Sequence, residues 1–237
     1  MQVYDQDTTQ VEIKEDDSPL TKADRESNTI ICDRLEGLAV QYPVLSEERN
    51  IFPYAERRKF DAFWLVDPLD GTKEFISRNG EFTVNIALIE GDKPVLGVVY
   101  VPFTREMFYA AAGKGAFWEK DGSSGALHVR EFSMQDKGLK VLCSRSQPDP
   151  ETREFIDRLQ EPYSVSRGSA LKFMMIAAGD AQLYPRLAPT MEWDVAAAQC
   201  IVEEAGGFVV DFHAGTPLRY NKKSLVNPAF LAGGRIG

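Results

Sequence analysis

The sequence predicts a mixed protein, α+β over its first half and α/β over its second, and three observations carry that expectation. Between residues 82 and 118, β-rich apolar runs follow one another across short glycine-containing connections, as antiparallel hairpins do. From residue 140 onward, strand-like and helix-like segments alternate, as they do in layered α/β structure. At 237 residues and 43% hydrophobic content, the chain can bury a core sufficient for one large domain or two modest ones. A boundary near residue 135 divides these expectations into an α+β half, residues 1–135, and an α/β half, residues 136–237.

In chain order, Asp17-Ser18-Pro19-Leu20-Thr21-Lys22-Ala23-Asp24 ends in an acid at a helix start, where Asp24 suits a capping role. Tyr42-Pro43-Val44-Leu45 reads as a strand that ends on Ser46-Glu47-Glu48. Phe63-Trp64-Leu65-Val66 reads as a buried strand, and Pro68, which cannot donate to a ladder, predicts that the strand stops there. Thr72-Lys73-Glu74-Phe75-Ile76-Ser77 can open a helix. Runs 82–89 and 95–101 flank Gly91-Asp92-Lys93-Pro94, and runs 107–110 and 116–118 flank Gly113-Lys114-Gly115, both as hairpins. The Gly/Ser-rich stretch 121–125 reads as a connection. Segments 140–143, 151–159, 163–166, 170–178, 182–184 and 195–205 then supply the alternation. The last is stopped by Gly206-Gly207 and preceded by Glu192-Trp193-Asp194, which places Asp194 at a helix N-cap. No internal repeat or low-complexity tract interrupts the chain.

The chemistry concentrates at Asp67-Pro68-Leu69-Asp70-Gly71-Thr72, directly after the apolar run 63–66. Two carboxylates at a strand end suit a hard divalent cation, which takes oxygen ligands in near-octahedral array, and the Leu69 carbonyl could add another. Unpaired N–H groups at the start of the following helix would face an anion held by the metal. Taken alone, the string reads equally as a turn with a helix cap, since its residues all favour turns. Asp24 and Asp194 carry the same capping alternative, and Lys172 reads equally as a solvated helix charge. Phosphate esters repel anionic nucleophiles, so acids that hold paired cations would acidify a water and clamp the transferring group. Without cations, such acids raise one another's pKa values and destabilise the fold.

Composition narrows the classes. Lys and Arg number 27 against 36 Asp and Glu, a net −9, which disfavours nucleic-acid polymers and favours small phosphorylated metabolites recruited locally. Cys32, Cys143 and Cys200 are odd in number and lack CxxC spacing, so neither a disulfide framework nor a zinc site is indicated and a reducing cytosol fits. The only histidines, His128 and His213, lie in polar surroundings; no Gly-x-Ser-x-Gly elbow occurs, and Gly113-Lys114-Gly115 lacks the rest of a phosphate-loop pattern. No run approaches the ~18 apolar residues of a spanning helix, and the opening residues lack a signal-peptide pattern. The aromatic-rich stretch 103–118 reads as core rather than as a base-stacking platform.

Thr21-Lys22-Ala23-Asp24, Ser46-Glu47-Glu48, the hexad from Asp67 and Trp193-Asp194 occur in the order and rough spacing of the lithium-inhibited, Mg²⁺-dependent phosphatases related to inositol monophosphatase. The chain resembles that family over nearly its whole length, and segments 64–76, 79–89 and 181–186 are most similar to its 3'(2'),5'-bisphosphate nucleotidase branch. The resemblance implies a layered αβαβα sandwich of the inositol-monophosphatase-like sugar-phosphatase type and two or three Mg²⁺ ions. Glu48, Asp67 and the Leu69 carbonyl would hold one ion, and Asp67, Asp70 and Asp194 a second, with Asp67 as the bridge. Thr72 would hydrogen-bond the attacking water and Asp24 would orient its hydroxyl. Gly71 and Thr72 N–H groups would meet the phosphate, with Asp194 beside it, and Ser169, Lys172 and Arg186 would contact the nucleotide.

The implied reaction removes the 3'-phosphate of adenosine 3',5'-bisphosphate, or of 3'-phosphoadenylyl sulfate, to leave AMP or adenylyl sulfate, within sulfur metabolism. The implied protein is a monomer or homodimer, cytoplasmic or peripheral to the inner face of the cell membrane. Inositol monophosphatase and fructose-1,6-bisphosphatase activities are alternatives with the same metals. A non-catalytic metal- or nucleotide-binding regulator is the alternative of another class, against which both Asp24 and Thr72 are retained. The chain departs from its relatives twice. They begin with an additional amphipathic helix, whose end Met1-Gln2-Val3-Tyr4 resembles, and they carry a His where Gln147 follows Ser144-Arg145-Ser146.

Overall fold

The computed structural model describes residues 1, 3, 4, 11–13, 19–49, 51–145 and 149–237, most of them in two sheets. A ribbon of β1 (Val11–Ile13) and β2 (Pro19–Thr21) leads into α1 (Lys22–Glu36). Then come β3 (Val44–Ser46), α2 (Tyr54–Arg57), β4 (Ala62–Asp70), α3 (Thr72–Ile76), β5 (Thr83–Glu90), β6 (Lys93–Val101), β7 (Glu106–Ala111), β8 (Ala116–Lys120) and β9 (Ser123–Leu127). Strands β3 to β9 form a 7-stranded sheet in sequence order, parallel at β3 and β4 and antiparallel from β4 onward.

The remaining elements are β10 (Glu131–Phe132), β11 (Lys140–Cys143), α4 (Pro150–Asp157), β12 (Tyr163–Ser166), α5 (Leu171–Ala177), β13 (Leu183–Arg186), α6 (Glu192–Glu204), β14 (Phe208–Asp211), β15 (Phe230–Gly233) and β16 (Arg235–Ile236). The second sheet has five strands in the order β12-β11-β13-β15-β14, with the first three parallel and β15 antiparallel to both neighbours.

The period of two along each strand sets the layers, because successive side chains leave a strand on opposite faces. In β4, Trp64 and Val66 pack with Cys32 and Leu35 of α1, whereas Phe63 and Leu65 join the core made with α5 and α6. In β5, Ile86 and Leu88 take the α1 side, and Ala87 and Ile89 the other. The second sheet repeats the rule: Leu142, Tyr184, Val209 and Phe230 belong to the α5 and α6 core, while Val141, Leu183, Phe208 and Leu231 pack with Phe155 and Ile156 of α4. The order is α1, first sheet, α5 with α6, second sheet, α4: the layered αβαβα sandwich that the family resemblance implies. Helix α6 is buried without a break from Val195 to Val202 because it lies between two sheets, so its sequence there is apolar on nearly all sides rather than on one stripe.

Two expectations are corrected. Strand β4 runs through Pro68 to Asp70 instead of stopping at the proline, for a reason given below. Of the Gly/Ser-rich stretch 121–125, Asp121 and Gly122 form the turn after β8 as read, but residues 123–125 open strand β9; a Cβ on Gly125 would lie 2.8 Å from Trp118 Nε1. No helix among the described residues is long and apolar enough to cross a membrane.

Gly97 of β6 lets α6 lie directly on the first sheet, where a Cβ would come within 2.2 Å of the Ala197 carbonyl oxygen. Both groups are backbone-anchored, so Gly97→Ala should cost about 2–3 kcal/mol and lower the melting temperature by roughly 4–12 °C. A calorimetric scan that shows no change would mean the helix can lift off the strand freely.

Candidate metal and phosphate site

Asp67 pairs with Asn85 and Asp70 with Thr83, so three steps along β4 oppose two along β5. The extra residue is a β-bulge, and it takes up Pro68, whose fixed φ and missing N–H a regular ladder would reject. In an unbroken strand, residues three apart face opposite sides; one inserted residue turns Asp70 to the side of Asp67. The proline therefore bends the strand end without stopping it. Asp67 is 2% exposed and accepts a hydrogen bond from Leu69 N at 3.0 Å.

Asp194 arrives from the first turn of α6. The helix begins three residues earlier than expected, with Met191 as N-cap, so Asp194 is the third helical residue and its Oδ2 accepts from Met191 N at 2.8 Å. Glu192, fully buried, pins this helix start by accepting from Asn221 N at 2.7 Å, Lys222 N at 3.1 Å and Lys222 Nζ at 2.6 Å.

The third acid is Glu47. Ligand oxygens of Glu47, Asp67 and Asp194 all lie within 4.8 Å of one another. The cluster thus takes Glu47 where the resemblance implied Glu48. Glu47 N donates to Val66 O at 3.1 Å and extends the β3 ladder by one residue, and adjacent side chains then diverge; Glu48 adds a smaller share to the raised pKa of Arg25, which is due chiefly to Glu12. Burial first, and then the charges of Glu47, Asp70 and Asp194, push Asp67 well above the usual carboxylate range. Burial and then Asp70 push Asp194 up likewise. An all-oxygen acidic set of this kind fits a hard divalent cation.

Asp24 and Thr72 also come together. Asp24, 1% exposed, accepts from Thr21 N at 2.7 Å through Oδ2, while its Oδ1 accepts from Thr72 Oγ1 at 3.2 Å. Capping and pairing coexist because a carboxylate has two oxygens. Gly71, at φ 93°, turns the chain from β4 into α3; a Cβ there would meet Glu81 O at 3.3 Å and Ser169 Cβ at 3.4 Å, so the two halves of the chain touch at this point.

The opposite wall of the cleft is cationic. Lys172 is 5% exposed, donates to Arg167 O at 3.1 Å and Ser169 O at 2.7 Å, and has its Nζ 5.3 Å from the Tyr184 ring centroid. Burial chiefly, with Arg186 adding to it, lowers its pKa to about 8. Arg186 donates to Ser144 Oγ at 2.8 Å, and its buried Nε has no hydrogen-bond partner among the described residues. Ser169 donates to Asp70 O at 2.9 Å and lies 2.7 Å from Thr83 Oγ1, which ties this wall to the bulge. With Asp70, Gly71 and Asp194 these residues line a cleft of about 190 Å³. Gln147 lies outside the described residues.

Sequence reasoning passed over Glu81, Arg145 and Arg167, which meet at the cleft mouth. A signal for the two arginines existed in their place just after strands β11 and β12, the carboxyl ends at which α/β sheets present ligands.

Comparison with known proteins agrees with this architecture. The sequence model of the Inositol monophosphatase family matches residues 1–235. The 3'(2'),5'-bisphosphate nucleotidase CysQ of Salmonella typhimurium is 47% identical over 231 residues, 97% of this chain and 92% of that protein. Among solved structures, CysQ from Bacteroides thetaiotaomicron matches at a TM-score of 0.86 and 40% identity, covering 98% of this chain and 90% of that one. A Thermotoga maritima IMPase matches at a TM-score of 0.75 and 29% identity, covering 94% and 82%.

The buried acids generate a stability prediction. A carboxyl whose folded pKa is raised holds its proton more tightly in the folded state, so the stability that Asp67 and Asp194 contribute to the metal-free protein should be fully present below the usual carboxylate range and be lost as pH rises through the raised one. A divalent cation binds the deprotonated acids, and at a hundredfold excess over its Kd it should raise the melting temperature by roughly 5–10 °C near pH 8 and by less near pH 5. Asp67→Asn removes a repelling charge, so it should leave the metal-free melting temperature equal or higher while cancelling the metal shift. A shift that survives this substitution would place the ion elsewhere.

Proposed function

The chain belongs to the inositol monophosphatase family, and we propose that it acts as a 3'(2'),5'-bisphosphate nucleotidase that hydrolyses the 3'-phosphate of adenosine 3',5'-bisphosphate. The observation that carries this reading is a two-ended cleft: Glu47, Asp67, Asp70 and Asp194 at one end, Lys172 and Arg186 at the other. A substrate with two separated anionic groups suits such a cleft better than one with a single phosphate. In the same reading Glu47, Asp67, Asp70, Asp194 and the Leu69 carbonyl hold Mg²⁺, in two or three positions. When bound, those cations supply the charge that polarises the phosphoryl group and acidifies the attacking water.

The remaining work belongs to the chain. Asp24, already accepting from Thr21 N, draws the Thr72 proton toward Oδ1 and leaves the Thr72 oxygen as an acceptor for a proton of the water. Thr72 is the first residue of α3, so its N–H has no partner within the helix and can face a phosphate oxygen, as can that of Gly71. Lys172 has three N–H groups; the carbonyls of Arg167 and Ser169 take two and hold the third for the nucleotide. Inhibition by Li⁺ belongs to this reading, as does a cytoplasmic setting, where the three free, buried cysteines stay reduced.

A phosphate-release panel tests the assignment. With Mg²⁺, adenosine 3',5'-bisphosphate should turn over with kcat/KM well above that for inositol 1-phosphate or fructose 1,6-bisphosphate, and Asp67→Asn should abolish turnover of all three. Comparable rates on inositol 1-phosphate would sink the nucleotidase reading.

Lys172 adds a pH signature. Its ammonium is present below about pH 8 and lost above it, so kcat/KM for the bisphosphate should fall as pH rises through that value. Lys172→Met should raise KM by about tenfold, the worth of one charged hydrogen bond, and remove this limb of the profile. An unaltered alkaline limb would assign it to another group.

A further inference from the structure

Helix α1 touches the site at three points, of which the chemistry above uses one. Ser27 and Asn28 stand three and four residues after Asp24, so all three share one face of the helix near its start. Asp24 accepts from Thr72 Oγ1 at 3.2 Å, at the first residue of α3. Ser27 Oγ donates to Pro68 O at 2.7 Å, inside the bulge. Asn28 Oδ1 accepts from Ser46 Oγ at 2.7 Å, at the last residue of β3 and next to Glu47. One rigid helix thus meets the Thr72 hydroxyl, the bulge and the strand end that carries the third acid.

Ser27 reaches further than its single bond suggests. Pro68 and Leu69 have no register partner on β5, because the bulge takes them out of the ladder. The peptide between them is held at both ends instead, its carbonyl by Ser27 Oγ and its N–H by Asp67 Oδ1 at 3.0 Å. A peptide is planar, so fixing the carbonyl aims the N–H. That N–H holds one oxygen of the Asp67 carboxylate and leaves the other for a cation. Ser27 therefore acts on Asp67 through a single rigid unit, the same unit that leads into the Leu69 carbonyl. Asn28 has the corresponding effect on Glu47, since the neighbouring Ser46 is fully buried and its hydroxyl is bound to α1. Adhesion of the helix to the sheet does not need either bond. Cys32 and Leu35, one and two turns beyond Asn28, pack with Val44, Trp64 and Val66 and supply it.

We propose that Ser27 and Asn28 are positioning residues through which α1 holds the acids at the spacing of a small octahedral cation, so that the site prefers Mg²⁺ to Ca²⁺. This rests on the metal-binding part of the proposed function. Mg²⁺ demands near-ideal octahedral geometry, whereas Ca²⁺ accepts more oxygens at longer and more variable distances. Slack in the bulge or at the end of β3 therefore penalises the smaller ion more.

Titration of the substrate-free protein with Mg²⁺ and with Ca²⁺, each followed by the melting temperature, reads the two affinities whichever phosphate ester is cleaved. Ser27→Ala should weaken Mg²⁺ binding by about tenfold, as loss of a group that orients a ligand does, and Ca²⁺ binding by much less, so the ratio of the two affinities should fall. Asn28→Ala should move the ratio in the same direction through Glu47. Ser27→Thr keeps the hydroxyl, and its extra methyl has room in the cavity of about 310 Å³ that Ser27 and Pro68 line, so it should restore the ratio. A substitution that only destabilises the fold lowers the metal-free melting temperature and leaves the ratio unchanged. Equal weakening of both ions, no weakening, or a ratio that Thr does not restore would overturn the inference alone. A wild-type protein whose melting temperature neither ion raises would overturn the metal reading, and this inference with it.

Discussion

Glu47, Asp67 and Asp194 bring carboxylate oxygens within 4.8 Å of one another from a strand end, a bulge and a helix start, and that crowding costs free energy unless a cation offsets it. Each approach is forced by its own local structure. The bulge at Pro68 aims Asp67 and Asp70 to one side, the β3 ladder carries on one residue past Ser46 to Glu47, and the buried Glu192 anchors the start of α6 so that Asp194 cannot swing away. The fold thus holds its acids rigidly in a position they would leave if free to do so, which is how a preorganised cation site is made.

The cationic wall depends on this acidic end through direct contacts. Ser169 donates to the Asp70 carbonyl, the Thr83 hydroxyl lies between Ser169 and Asn85, and Glu81 ties the Gly168 turn to the segment that follows α3. The two sheets lie on either side of residue 135, yet their core is shared: α5 and α6 come from the later half and pack against Phe63, Leu65, Ala87 and Ile89 of the earlier one. A substrate bound across the cleft would therefore touch groups contributed by both sheets, with no flexible linker between them among the described residues.

Much of this was legible in the chain. Runs 82–89 and 95–101 alternate and are punctuated by Gly91, and they form β5 and β6 as read. The segments after residue 140 appear nearly in place because each is bounded by turn residues. Strand β9 escaped because its Gly and Ser residues suit a turn by propensity; its neighbour Trp118 leaves room for nothing larger. Strands β14 and β15 close the second sheet and β10 and β16 pair beside it, but they are short, and pairing partners far apart in sequence leave no periodic mark.

The sequence by itself determined the order of an α+β half and an α/β half, the acidic hexad and the capping place of Asp24, because these rest on local signals: hydrophobic period, proline and glycine punctuation, and capping chemistry; the layered sandwich and the pairing of Asp24 with Thr72 came from the family resemblance. Only the tertiary structure decided between Glu47 and Glu48, carried β4 past Pro68, and set Arg145, Arg167 and Glu81 around one mouth. Which of two adjacent side chains faces a pocket depends on ladder register. Register is a relation between strands, and a single stretch of chain does not contain it.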